Sequence, residues 1–134
     1  MHKFEDSVLE TVGIVQGAVS STAGEVAGAA VDMAKFNNFV GIVMNKAQTQ
    51  YGGIITVGVA EGTTSTQFAA TNLATVTIAS DTATDQIDTI EVRAEEMTEG
   101  YRYLRLEVTP TTPGTAMVFE AINLRFNPRF AAVR

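Results

Sequence analysis

The feature that most constrains this chain is a period-two alternation of apolar and polar side chains, with no long segment carrying the i, i+3, i+4 stripe of an amphipathic helix. In "ATVTIAS" (Ala74 to Ser80), Val76 and Ile78 alternate with Thr75 and Thr77. In "TIEVRAEEM", Ile90, Val92 and Ala94 alternate with Glu91, Arg93 and Glu95, and in "YRYLRLEVT", Leu104, Leu106 and Val108 alternate with Tyr103, Arg105 and Glu107. Successive side chains of a strand point to opposite faces, so each stretch predicts a strand with one face on a core and one in water. "FVGIVMN" (Phe39 to Asn45) and "GIITVGVA" (Gly53 to Ala60) are apolar on both faces, as interior strands are. The last strand, "TAMVFEAINLRF", loses its alternation at Glu120, which suggests a bulge. The expected fold is all-β: a β-sandwich or jelly-roll-like barrel of about six to eight antiparallel strands.

The first thirty residues look different. From Gly17 to Ala30, eleven of fourteen residues are Gly, Ala, Ser or Thr, too little side chain to build a core. "VLETVGIV", ahead of it, has β-branched residues enough for a strand once it finds a partner. Residues 1–30 are therefore expected to form an extended N-terminal arm, ordered against a neighbour, and residues 31–134 a β-sandwich domain with a C-terminal tail. A chain of 134 residues suits a single core.

Charge limits the partners. The net charge of −6 opposes general affinity for nucleic acid, which depends on clustered Lys and Arg. Residues 81–100 hold seven acids and one base, whereas residues 101–134 hold five arginines against Glu107 and Glu120. Two readings are open: neighbouring strands of one chain complement each other, or opposite charges meet between subunits. There are no cysteines, so disulfides and thiolate metal sites are excluded. The opening "MHKFEDSVLE" has no apolar core of a secretory signal, and no apolar run has the length of a membrane helix, so neither export nor a membrane is expected.

Catalytic chemistry finds little to work with. His2, the sole histidine, sits beside the first methionine, and serine nucleophiles lack an imidazole partner. Asp81, Asp85 and Asp88 offer oxygen ligands for calcium, but at a spacing that matches no cation loop. The glycines of "YGGIITVG" and "VGIVQG" open no helix and make no phosphate cradle. The expectation is a protein that is not an enzyme, with no cofactor and no metal.

"VDMAKFNNFVGIVMN", "VRAEEM", "GYRYLRLEVT" and "FNPRF", in this order, resemble a family of small structural proteins of tailed bacteriophages that includes capsid decoration, or cement, proteins. The resemblance spans roughly Val31 to Phe130. The matching residues are Asp32, Met33, Lys35 and Phe36, then Arg93 to Glu96, Tyr101, Tyr103 and Arg105, and last Pro128, Arg129 and Phe130. The resemblance implies a β-rich subunit, commonly a homotrimer, that binds the major capsid protein on the capsid exterior and closes gaps between capsomers. It also implies residence in the virion, after assembly in the host cytoplasm. A head-completion or tail structural role stays open, as does carbohydrate or host-surface binding through Tyr101 and Tyr103 as a stacking platform.

Two structural expectations follow. "IEVRAEEMTEGYRYLRL" is expected to form an antiparallel hairpin in which Val92 faces Leu104, Ile90 faces Leu106, Glu91 meets Arg105 and Arg93 meets Tyr103. For the tail, Phe126 and Phe130 flank Asn127-Pro128-Arg129. They either cover their own core or lie at a subunit boundary, where aromatics and Arg are enriched. The candidate interface residues are Phe126, Pro128, Arg129, Phe130, Arg93, Glu95, Tyr101, Tyr103 and Arg105.

Overall fold

A computed structural model describes residues 8–20, 25–45, 54–79, 84–110 and 116–128. Nine strands are formed: β1 (Val8–Ser20), β2 (Val26–Ala27), β3 (Val31–Asp32), β4 (Phe36–Asn45), β5 (Ile54–Gly62), β6 (Ala74–Ala79), β7 (Gln86–Arg93), β8 (Tyr103–Pro110) and β9 (Ala116–Pro128). They make two antiparallel sheets. Sheet one has the order β1-β9-β4-β7, and sheet two the order β2-β8-β5-β6, with β3 also on β8. The protein is an all-β sandwich.

Alternation places the core. Phe39 and Val43 of β4, Ile90 and Val92 of β7, and Phe119 and Ala121 of β9 turn inward from sheet one. Ile55, Val57 and Val59 of β5, Ile78 of β6, and Leu104, Leu106 and Val108 of β8 meet them from sheet two. Gly41 permits the close approach of the sheets. A Cβ there would lie 2.6 Å from Leu106 Cδ2 and 3.0 Å from Ile90 Cγ2, so a side chain would wedge the layers apart. The two stretches that read as apolar on both faces are interior strands: β4 lies between β9 and β7, and β5 between β8 and β6.

Three expectations are corrected. The hairpin does not form, because β7 pairs with β4 in sheet one while β8 pairs with β5 in sheet two, so Glu91 and Arg105 are on non-adjacent strands. A 3-10 turn at Ala94–Glu96 and a bend at Gly100, with φ of 88°, carry the chain between the layers. The crossing is held by side chains. The Glu96 carboxylate accepts the Arg93 N–H at 2.6 Å, and Glu61 of β5 accepts the Thr98 N–H at 2.8 Å and its O–H at 2.6 Å. Ile90 and Val92 do share one core with Leu104 and Leu106, but from opposite sheets.

The second correction concerns the expected arm. Val8–Ser20 pairs along β9 of its own chain as the edge strand of sheet one, and Val26–Ala27 pairs with β8. "VLETVGIV" thus finds in β9 the partner that its β-branched residues need to form a strand. The third concerns the bulge. Register shifts fall between Thr11 and Ile14 and between Ile14 and Gly17, so the extra residues are in β1, while β9 runs in unbroken register with β4 past Glu120. His2, Asp81, the turn "KAQTQYGG" and all of "TPTTPG" but Thr109 and Pro110 lie outside the described residues.

Candidate functional site

The two outer faces differ in what covers them. On sheet two, β5 is buried on both sides from Val57 onward: Gly58, Ala60 and Gly62 are covered as fully as the core residues between them. The cover is the chain's own 63–73 segment, which donates the Ala69 N–H to Glu61 O and the Leu73 N–H to Val59 O. A Cβ on Gly58 would lie 1.9 Å from Asn72 Nδ2. Beneath this cover Arg105 Nε and Nη2 donate to Glu107 Oε1 at 2.8 and 2.5 Å, and the guanidinium sits 4.1 Å from the centre of the Phe68 ring. Glu25, at the start of the 25–30 segment, approaches the same Arg105 Nη2 at 3.9 Å.

Glu25 and Glu107 compete for one cation. Burial and then the Glu107 carboxylate raise the Glu25 carboxyl above its ordinary value of 4.5, Arg105 pulls it down, and a hydrogen bond to Glu107 raises it further. A carboxyl with a raised folded-state value holds its proton more tightly folded than unfolded, so its contribution to stability grows as pH falls through the raised value. With 44% of the Glu25 side chain exposed, solvent screening keeps the effect small. Urea unfolding of wild type and Glu25→Gln from pH 7 downward should show the variant equal or more stable at pH 7, by up to about 0.5 kcal/mol, with that margin shrinking as pH falls toward 4.5 and gone below it. A variant less stable than wild type at pH 7 would mean that Arg105 attraction outweighs the repulsion.

At one end of the sandwich β3 ties the sheets together. Arg102 Nε and Nη2 donate to Asp32 Oδ1 and Oδ2 at 2.8 and 2.5 Å, the Ala34 N–H donates to Oδ1, and Arg125 Nη1 of β9 donates to the Asp32 carbonyl at 2.7 Å. The Arg102 hydrogen bond holds the Asp32 carboxyl below its ordinary value, and Asp32 raises the Arg102 guanidinium in turn. Burial lowers Arg125, whose guanidinium lies 5.0 Å from the Phe36 ring centre. Next to this tie is a concavity of about 420 Å³, lined in part by Met33, Met97, Thr98, Tyr101 and Arg102.

Sheet one has an outer face of another kind. Successive rows across β7, β4 and β9 read Arg93–Asn38–Phe126, Glu91–Val40–Leu124, Thr89–Ile42–Ile122 and Ile87–Met44–Glu120. Val40, Ile42, Met44, Ile122, Leu124 and Phe126 are only half-buried, and Ile87 is 65% exposed. At the far end Ile42, Met44, Ile87, Ile122 and Glu120 enclose a shallow groove of about 180 Å³. Glu91 accepts a hydrogen bond from Asn38 Nδ2 at 3.1 Å on the same surface. This face thus has an apolar centre and an acidic flank.

The candidate interface residues divide between these places. Arg93 and Phe126 flank Asn38 in the first row of the sheet-one face, and Pro128 ends β9 opposite Phe36. Arg93 and Glu95 form an exposed pair at 3.6 Å. Tyr101 lines the end concavity, and Tyr103 opens β8 with the Arg102 guanidinium 5.6 Å from its ring centre. Arg105 is half-buried under its own chain. Arg129 and Phe130 lie outside the described residues. Sequence reading missed Ile87, Val40, Ile42, Met44, Ile122 and Leu124. The available signal was that β4 is apolar on both faces in a chain with only two sheets, so one of those faces had to look outward.

No protein-family model matches the chain, and no curated protein matches it in sequence. Solved structures do match in shape. A chain of infectious bursal disease virus, Gx strain, is similar at TM-score 0.57 and 12% identity over 89% of this chain and 32% of that one. A Bacillus endospore appendage, described as a disulfide-linked pilus, is similar at TM-score 0.52 and 11% identity over 90% of this chain and 88% of that one. Tripeptidyl peptidase 2 is similar at TM-score 0.51 and 12% identity over 92% of this chain and 10% of that one. This chain thus spans about a third of the viral chain's length. At these identities what is shared is the β-sandwich. Among the described residues no helix is long and apolar enough to cross a membrane.

Proposed function

We propose that this chain is a non-enzymatic virion structural protein: a capsid decoration subunit that associates as a homotrimer, binds the major capsid protein on the outside of a phage head and stabilises capsomer junctions. The observation that carries this reading is the half-exposed apolar outer face of sheet one among the described residues, whereas over Gly58 to Gly62 of β5 the outer face of sheet two is covered by the chain's own 63–73 segment. A monomer gains nothing from such a face, whereas an assembling subunit does. The ordered patches from Val31 to Phe130 that resemble phage decoration proteins support it, as does a sandwich shape shared with a viral chain. Purified protein mixed with undecorated capsids should co-sediment and appear as added density by negative-stain microscopy. A protein that stays in the supernatant at every ratio overturns the reading.

A second reading has one observation in its favour. The endospore pilus subunit matches over nearly the whole of both chains, so this chain could build a filament of its own. With no cysteine, its joints would be non-covalent. Filaments formed by the protein alone would favour this reading, and discrete particles the first.

A further inference from the structure

We infer that the outer face of sheet one is the docking surface for residues 129–134 of a second copy of this chain, with Phe130 in the groove between Ile42, Met44, Ile87 and Ile122, Arg129 at Glu120 and Arg134 at Glu91. The inference rests on the self-association part of the reading above and is tested without capsids. Three observations converge on it.

The first is chemistry. "RFAAVR" carries an arginine at each end and one aromatic beside the first of them. The face carries a carboxylate at each end of an apolar diagonal, and its groove, of about 180 Å³, adjoins the first of these, Glu120. Aromatics in pockets and Arg on carboxylates are the usual anchors of such contacts.

The second is spacing. Glu120 and Glu91 are separated by four residues along the strands, from the Met44 row to the Val40 row, and by two strand steps from β9 to β7. With about 3.3 Å per residue and 4.8 Å per strand, that diagonal is about 16 Å. Arg129 and Arg134, five residues apart in an extended segment, are also about 16 Å apart. Side chains alternate along such a segment, so Phe130 and Arg134 share the face turned to the groove and Glu91, while Arg129 reaches Glu120 around the segment's edge on its long stem.

The third is where the chain leaves its own sheet. Pro128 pairs with Phe36, eight residues along β4 from Met44, the residue opposite Glu120. Arg129 of the same chain thus starts about 26 Å from Glu120 and cannot reach it. The contact in this register has to be made by another copy. Such a contact is heterologous, head to tail, and a rotation that closes after three copies gives the ring a homotrimer needs.

Sedimentation velocity of full-length protein decides this with a charge swap. Wild type is expected to associate, at least tenfold more weakly in 1 M than in 0.05 M salt. Arg129→Glu with Arg134→Glu, and Glu91→Arg with Glu120→Arg, should each be monomeric when alone. An equimolar mixture should regain association, because every segment then meets a face of opposite charge. Circular dichroism of each variant guards against a fold lost through Glu120, and Phe130→Ala, which leaves the face untouched, should weaken association at least tenfold. A wild type that is monomeric throughout, swap variants that associate when alone, or a mixture of folded variants that stays monomeric overturns the inference. Capsid binding retained by those monomers would leave the virion reading standing.

Discussion

Phe39→Ala is expected to remove about 3–5 kcal/mol of stability, a large part of the 5–15 kcal/mol typical of a domain. Phe39 has no exposed surface and lies at the centre of β4, with Val92 beside it on β7 and Arg125 on β9. Its ring packs in the single cluster that joins both sheets. Collapse into the cavity is resisted from both sides, since each neighbour is held by a backbone ladder and cannot shift without disturbing its register. Urea unfolding followed by circular dichroism measures the loss, and Phe39→Leu, which leaves most of the volume filled, should lose clearly less. If the alanine variant lost under about 1 kcal/mol, the cluster would not be packed as described.

Period-two alternation made the strands and their inward faces legible. Val76 and Ile78, Ile90 and Val92, and Leu104, Leu106 and Val108 all point inward as their spacing requires. Alternation specifies a face and not a partner, which is why the β7–β8 hairpin was misread. Two strands with matching alternation satisfy their cores equally well side by side or across a sandwich. What sends them to different sheets is a buried Glu61 gripping Thr98 from 37 residues away, and nothing in local pattern announces it. The 1–20 region failed for a related reason. The small residues from Gly17 to Ala30 coloured the reading of all of 1–30 as an arm, but "VLETVGIV" ahead of them needed only a backbone partner, and β9 of the same chain supplies it.

Of the candidate site residues, Arg93 and Phe126 fall in the row next to Glu91 on the outer face of sheet one. Arg105 and Glu107 were not. Alternation assigned both to a solvated face, and within the rule they are on the outer side of β8. The 63–73 segment lies over that side and turns an ordinary surface pair into an enclosed one. Covering loops are tertiary facts, invisible to a two-residue period.

That enclosure sets the second large effect. Arg105→Ala should destabilise the protein by about 3 kcal/mol, well beyond the 0–1 kcal/mol of a surface ion pair. The Glu107 side chain is only 8% exposed and accepts two hydrogen bonds from Arg105, so removing the guanidinium leaves a desolvated carboxylate without its cation. Glu25, the other charged group at this cation, is itself an acid and cannot compensate. Loss of the arginine stem over Phe68 adds a smaller packing cost. The electrostatic part can be separated by a double variant. In Arg105→Met with Glu107→Gln, an apolar stem of similar length still covers Phe68 and no charge is left buried, so more than half of the lost stability should return. Chemical denaturation of wild type, both single variants and the double variant closes this cycle. If Arg105→Ala cost less than about 1 kcal/mol, or the double variant were as unstable as the single, Glu107 would have to be solvated and the 63–73 segment would not be a cover. In that case the outer face of sheet two would be open over β5 and β8 as well, and the contrast with sheet one would be lost.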